Sequence, residues 1–113
     1  DSLAISASKA NFALNKIPSN LFNIFLGSVS ELEMKIPEQK IDLLLCNILA
    51  PVIKSLGSSF GQIIGDKGKV ILSGLLVEQI EELQEFFLTL GWQVLEIKIN
   101  DPWALIVLTM DLP

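Results

Sequence analysis

The sequence predicts an α/β domain: a mostly parallel sheet with helices on its faces, closed by an antiparallel hairpin at its carboxyl end. Three observations predict it. Strand-like and helix-like stretches alternate along the chain, the order that builds a parallel sheet with crossover helices. The stretch Ile41–Asn47 is apolar almost without interruption, as strands covered on both faces are. The last two strand-like stretches are separated only by Asn100-Asp101-Pro102, too short for a crossover, so they form a hairpin.

Taken in order, the first element is a helix capped by Ser2, with its body from Leu3 to about Asn15. Leu3, Ala7, Ala10 and Leu14 recur at spacings of 4, 3 and 4, an apolar stripe with small residues at its middle. Asn15-Lys16 ends it and Pro18 prevents its resumption. Leu21–Leu26 alternates loosely, contains two Phe and reads as a strand ending at Gly27-Ser28. Ser30–Gln39 is polar, includes Pro37 and reads as a loop or a short helical turn. After the strand Ile41–Asn47, Pro51 suits the first turn of a helix whose stripe is Val52, Ile53, Leu56, Phe60, Ile63 and Ile64. Gly57 and Gly61 each weaken that helix by roughly 1 kcal/mol unless close packing needs them.

Asp66-Lys67-Gly68 reads as a turn and Lys69–Ser73 as another buried strand, ending at Gly74. The clearest helix follows: Leu76, Ile80, Leu83, Phe87 and Leu90 share one face, Glu78, Glu81, Glu82 and Glu85 take the others, and Gly91 stops it. Trp92–Ile99 alternates best in its second half, as a half-exposed strand does, and Trp103–Leu108 is the final apolar strand. The whole order is that of a Rossmann-like sheet ending in a hairpin.

Composition narrows the function classes. At 113 residues the chain is a single domain, 50% hydrophobic, enough to build a core. Thirteen Asp and Glu face eight Lys and no Arg, a net charge of −5. The lack of the usual phosphate-gripping fork argues against direct nucleic-acid binding. There is no His, which excludes Ser-His-Asp and Cys-His mechanisms and most zinc sites within the chain; no metal is expected. The lone Cys46 fits a reducing, cytoplasmic compartment and, in its apolar run, reads as a buried hydrophobe. The best membrane-span candidate, Ile41–Ile53, is too short and contains Asp42, Asn47 and Pro51, so no membrane partner is expected. No basic segment with a cleavage site opens the chain, and no signal peptide is expected.

In open α/β sheets ligands bind outside the carboxyl ends of the strands, here Gly27-Ser28, Asn47-Ile48 and Ser73-Gly74. Asn47 stands out. An uncharged polar residue between two apolar runs is expected to need hydrogen-bond partners in a largely buried place. The plainer alternative is that it caps the helix that Pro51 begins.

These residues carry a resemblance. Asn47-Ile48-Leu49-Ala50-Pro51, Leu72-Ser73-Gly74-Leu75-Leu76 with Gln79, Gly91-Trp92 and Trp103-Ala104-Leu105 resemble the S-adenosylmethionine-dependent ribosomal protein L-eleven methyltransferases (PrmA). Asp1-Ser2-Leu3-Ala4, with Asn11 and Asn15, resembles the helix after that family's second strand, so the likeness covers essentially the whole chain. It implies the class I methyltransferase sheet with its terminal hairpin. It implies that Asn47 sits beside the transferred methyl as the catalytic residue, and that Ile48 and Leu49 form the substrate mouth. It implies that Gly27 and Ser28 lie near the adenine and that Asp1 falls near the acid holding the ribose hydroxyls. The cofactor implied is S-adenosylmethionine, and the reaction is methylation of amines of a ribosomal protein.

The chain departs from the family pattern where the cofactor is held. The family's first two strands, its Gly-rich loop and its amino-terminal recognition domain have no counterpart, and no G-x-G occurs. A fragment is therefore expected, binding cofactor weakly or not at all alone. In the family's sheet the absent strands lie between Leu21–Leu26 and Ile41–Asn47. The chain is expected either to pair these two strands or to self-associate through the open edge. Two other functions remain open: a non-catalytic assembly or binding remnant of the fold, and a methyltransferase of another amine or small molecule.

Overall fold

The computed structural model of the chain describes residues 1–36 and 40–110. Helices are α1 Ser2–Leu14, α2 Val29–Lys35, α3 Ala50–Ile63 and α4 Ile80–Thr89. Strands are β1 Ile41–Cys46, β2 Ile64–Leu76, β3 Gln93–Asn100 and β4 Trp103–Thr109, with 3-10 turns at Ser19–Leu21 and Val77–Gln79. The sheet order is β1-β2-β4-β3. β1 and β2 are parallel, while β4 runs antiparallel to β2 and to β3, so β1, β2 and β3 all point one way. The predicted α/β sheet with a closing hairpin is present. Among the described residues no helix is long and apolar enough to cross a membrane.

One face of the sheet carries the core. Ile53, Phe60 and Ile63 of α3 and Leu83 and Phe87 of α4 pack on Val70, Leu72 and Leu75 of β2 and Ile106 and Leu108 of β4. Trp92 sets its ring edge-on to Phe87 at 6.4 Å between centroids. Each such side chain contributes about 1.5–3 kcal/mol when fully buried. The exposed Lys54–Glu82 ion pair between α3 and α4 is a pair of the kind that adds about 0–1 kcal/mol, so apolar packing holds the helices down. Gly57 lets α3 and α4 approach, since a Cβ there would lie 2.9 Å from the Phe87 ring. That close contact accounts for a helix-weakening residue in a buried turn.

Several expectations are corrected. Leu21–Leu26 is not a strand: Ser19–Leu21 is a 3-10 turn, and the residues after it join no ladder among those described. Phe22 is extended, but its ring stacks on Phe12 at 3.9 Å, and Phe25 lies 5.2 Å under the Lys35 ammonium. The aromatic alternation thus serves contacts with α1 and α2. The gap is accordingly not closed by pairing Leu21–Leu26 with β1.

Ser30–Gln39 is helical as far as Lys35, with Glu31 returning to the start of α2; Pro37, Glu38 and Gln39 lie outside the described residues. The Asp66-Lys67-Gly68 turn is absorbed into β2 as an irregularity, because Ile41 pairs with Ile64 while Leu43 pairs with Lys69. β2 also runs past Ser73 to Leu76, and α4 starts only at Ile80.

The helices do not cover both faces. Leu43 is 50% exposed and Leu45 69%, and α1 buries none of its side chains. β1 is an edge strand whose outer side has no partner among the described residues, a template for association.

The two helix glycines separate packing from propensity. Gly57→Ala drives a methyl into Phe87, and overpacking at about 1–3 kcal/mol exceeds the roughly 1 kcal/mol gained in helix propensity. At Gly61 a Cβ meets only the flexible end of Met110, at 3.2 Å. Urea unfolding is expected to show a lower midpoint for Gly57→Ala and an equal or higher one for Gly61→Ala.

Candidate functional site

β1 and β2 end side by side. Their parallel ladder closes at Cys46 beside Leu72, which brings Asn47 level with Ser73-Gly74. Beyond Cys46 the chain leaves the strand and enters α3 with Pro51 in its first turn. The α3 cap position is Leu49, whose carbonyl accepts from the Val52 and Ile53 amides at 2.9 and 3.0 Å, and no side chain caps it. Asn47 is therefore not the cap of α3.

Nor is Asn47 largely buried, as the sequence led one to expect. It is exposed, because β1 forms the sheet edge and nothing covers the junction among the described residues. Its side chain makes no hydrogen bond among the described residues. Ile48 and Leu49, the next two residues, are exposed apolar side chains too. Cys46, one step back, is half-buried against the core, and burial pushes its thiol up, away from the reactive thiolate.

The Asn47 amide lies over Gly74. A Cβ on Gly74 would occupy the space of Asn47 Oδ1 and sit 3.0 Å from its Cγ. Gly74 has φ +69°, in the left-handed region. It also belongs to a bulge: Leu72 pairs with Ile106 and Leu75 with Ala104, leaving Ser73 and Gly74 together opposite Leu105. Past the bulge the backbone is tied down, since the Leu76 amide donates to Gln79 Oε1 at 2.9 Å and the Val77 amide to the Pro102 carbonyl at 3.1 Å. A groove of about 400 Å³ opens at the same place, lined by Ser73, Gly74, Lys98, Asn100, Trp103 and Leu105 among others. Sequence reasoning named Ser73-Gly74 as a strand end and, with Trp103, as part of the family likeness, but did not name Lys98, Asn100 or Trp103 as site residues. Cross-strand register, Lys98 opposite Leu105 and Asn100 opposite Trp103, is what joins them on one face.

The residues expected near the cofactor sit at two helix starts. Asp1, not Ser2, caps α1, accepting from the Ala4 amide at 2.7 Å. Gly27-Ser28 opens α2 and does not end a strand. The Ser28 amide donates to Glu31 Oε2 at 2.9 Å, the Ser30 hydroxyl donates to the same oxygen at 2.8 Å, and Gly27 leaves room for the returning Glu31 stem. Asp1, Gly27 and Ser28 share no hydrogen bond with Asn47 and do not line the groove beside Gly74, which Asn47 does not line either.

The Ser28 amide, then the Ser30 hydroxyl, hold the Glu31 carboxyl below its ordinary 4.5. A lowered carboxyl contributes stability above its unfolded value and loses it as pH falls through the folded one. The Ser28 amide proton is therefore expected to report an acid transition below pH 4.5 by NMR, and Glu31→Gln to abolish that transition.

The comparisons with known proteins agree with the fold. The family profile described as Ribosomal protein L11 methyltransferase (PrmA) matches residues 1–111. The Ribosomal protein L11 methyltransferase of Prochlorococcus marinus strain MIT 9303 is 44% identical over 106 residues, 94% of this chain and 35% of that protein. Its counterpart in Parasynechococcus marenigrum strain WH8102 is 42% identical over 106 residues, 94% of this chain and 37% of that protein. Among solved structures, the ribosomal protein L11 methylase of Lactobacillus delbrueckii subsp. bulgaricus has the same fold, with a TM-score of 0.77 at 24% identity over 95% of this chain and 52% of that one. The chain spans 35–37% of the length of these two cyanobacterial relatives. With a family profile running from its first residue to Asp111 and a fold shared with a solved member, the chain belongs to the ribosomal protein L11 methyltransferase (PrmA) family.

Proposed function

We propose that this chain carries the acceptor side of an S-adenosylmethionine-dependent methyltransferase that methylates amines of a ribosomal protein, a cytoplasmic reaction, with Asn47 as the residue that aims the amine. One observation carries the reading. The Asn47 amide stands at the carboxyl end of β1, exposed, without a hydrogen-bond partner among the described residues, and backed by the Gly74 main chain. An amide so placed has its oxygen available to a donor from outside the protein.

The chemistry asks little of acids or bases. The cofactor, when bound, supplies a methyl group on a sulfonium, open to in-line displacement by a neutral amine. Asn47 Oδ1 accepts one N–H of that amine and so turns the nitrogen lone pair away from the protein chain. Ile48 and Leu49 give the mouth an apolar rim that sheds water once a substrate covers it. Desolvation lowers an amine's pKa and favours the neutral, nucleophilic form, so two apolar neighbours take the part that a histidine plays elsewhere. The protons shed on alkylation leave to solvent at this open edge.

The residues proposed for the cofactor fit it poorly within this chain. Asp1 and Ser28 are engaged in helix caps, and Gly27 is filled by the Glu31 stem. The donor-side contacts therefore belong to the part of the longer relatives that this chain does not span.

A chimera decides between this reading and a binding or assembly remnant. The chain replaces the matched segment of the relative from Prochlorococcus marinus strain MIT 9303, and transfer to ribosomal protein L11 is measured with Asn47 intact or changed to Ala. Loss of alignment costs about 10²-fold, so Asn47→Ala is expected to lower kcat by that order with cofactor affinity unchanged. An active chimera whose Asn47→Ala form is equally active removes Asn47 from the mechanism. A folded chimera that binds cofactor and transfers nothing supports the remnant.

A further inference from the structure

We infer that Gly74, together with the bulge that carries it, is a positioning residue: its missing side chain sets the direction of the Asn47 amide toward the acceptor amine. The inference rests on the reading of Asn47 given above. Three features of the structure meet at this point. First, Ser73 and Gly74 share one opposing residue, Leu105, so β2 carries one residue more than its partner at the level of the β1 terminus. Such an extra residue bends the strand and redirects what lies beside it. Continued regularly, the β1–β2 ladder would set Asn47 beside Ser73; the bulge brings Gly74 under the amide as well.

Second, the space is filled. Asn47 Oδ1 occupies the place of a Gly74 Cβ, so any side chain there and the present amide orientation exclude each other. Third, the amide has no hydrogen bond among the described residues to hold it. An exposed Asn with no partner samples several rotamers, and the Gly74 main chain is the contact that restricts it. The left-handed φ of +69° alone would explain a glycine for backbone reasons. It does not explain why the amide sits where a Cβ would be, and the two explanations predict different variants.

The test uses the same chimera. Gly74→Asn keeps the backbone, since Asn adopts the left-handed conformation readily, yet adds the Cβ that displaces Asn47. Gly74→Ala adds the Cβ and strains the backbone together. Both are expected to lower kcat by about 10²-fold, the cost of a misaimed group, while leaving the KM for the methyl donor unchanged. In an Asn47→Ala background, Gly74→Ala should cost no further kcat, because no amide is left to displace. On the 113-residue chain itself, the Asn47 side-chain NH₂ resonances are expected to shift in Gly74→Asn.

Wild-type kcat in Gly74→Asn overturns the inference, as does a Gly74→Ala loss that is equally large when residue 47 is already Ala, or NH₂ resonances that do not move. The failures are distinguishable. Full kcat in Asn47→Ala fells the reading of Asn47 and this inference with it. A slow Asn47→Ala beside a fast Gly74→Asn fells the role of Gly74 alone.

Discussion

The parallel ladder between β1 and β2 is the constraint on which the site depends. Leu44 beside Val70 and Cys46 beside Leu72 put the two strand ends at one level, so the residues following them emerge together. The candidate site residues sit at that level. Asn47 leaves β1 there, Ser73 and Gly74 bulge out of β2 there, and the hairpin returns through Asn100 and Trp103 to the same edge. The core beneath supports the ladder: Ile53 and Phe60 from α3 and Leu83 and Phe87 from α4 press on the buried side of β2 and β4. A slip of one residue in the ladder would send Cys46 outward and turn Asn47 from the mouth, because strand side chains alternate faces.

Most of this architecture is legible in the sequence, for physical reasons. The helical spacing of Ile80, Leu83 and Phe87 and the apolar residues Val70 and Leu72 of β2 report burial, and burial dictates those elements. Pro51 marks the α3 start because its fixed φ and missing N–H suit a first turn. What the sequence conceals depends on partners. Phe22 and Phe25 look like strand residues, but an extended segment becomes a strand only beside another; here the rings meet Phe12 and Lys35. The apolar continuity of β1 predicts cover on both faces, whereas Leu43 and Leu45 are bare. In both cases local composition is compatible with the expectation, and absent neighbours decide the outcome.

The site divides in the same way. Asn47 is conspicuous as a polar residue between apolar runs, and the structure puts its amide at the expected strand end, although exposed and with no role as the α3 cap. Gly74 is visible in the sequence as a strand end and as part of the Leu72–Leu76 run, but not as a neighbour of Asn47. Its contact with Asn47 joins residues distant in sequence, and no local pattern encodes that. Asp1, Gly27 and Ser28 are expected near a cofactor from family likeness. Their polar atoms instead complete helix starts, the usual work of Asp and Ser at those positions. Among the described residues the chain thus holds the proposed acceptor edge and no assembled cofactor cradle, in keeping with its share of 35–37% of the two cyanobacterial relatives.

An acceptor edge of this kind works by alignment and dryness. No histidine is needed when a neutral amine attacks a methyl sulfonium and a carboxamide oxygen fixes its direction. The most direct measurement is a crystal structure of the chimera with an unreactive analogue of the methyl donor and a lysine-bearing peptide from the ribosomal protein. The account predicts the amine nitrogen within hydrogen-bond reach of Asn47 Oδ1, about 2.7–3.2 Å. An amine held by other groups, with the Asn47 oxygen beyond that reach, would contradict it.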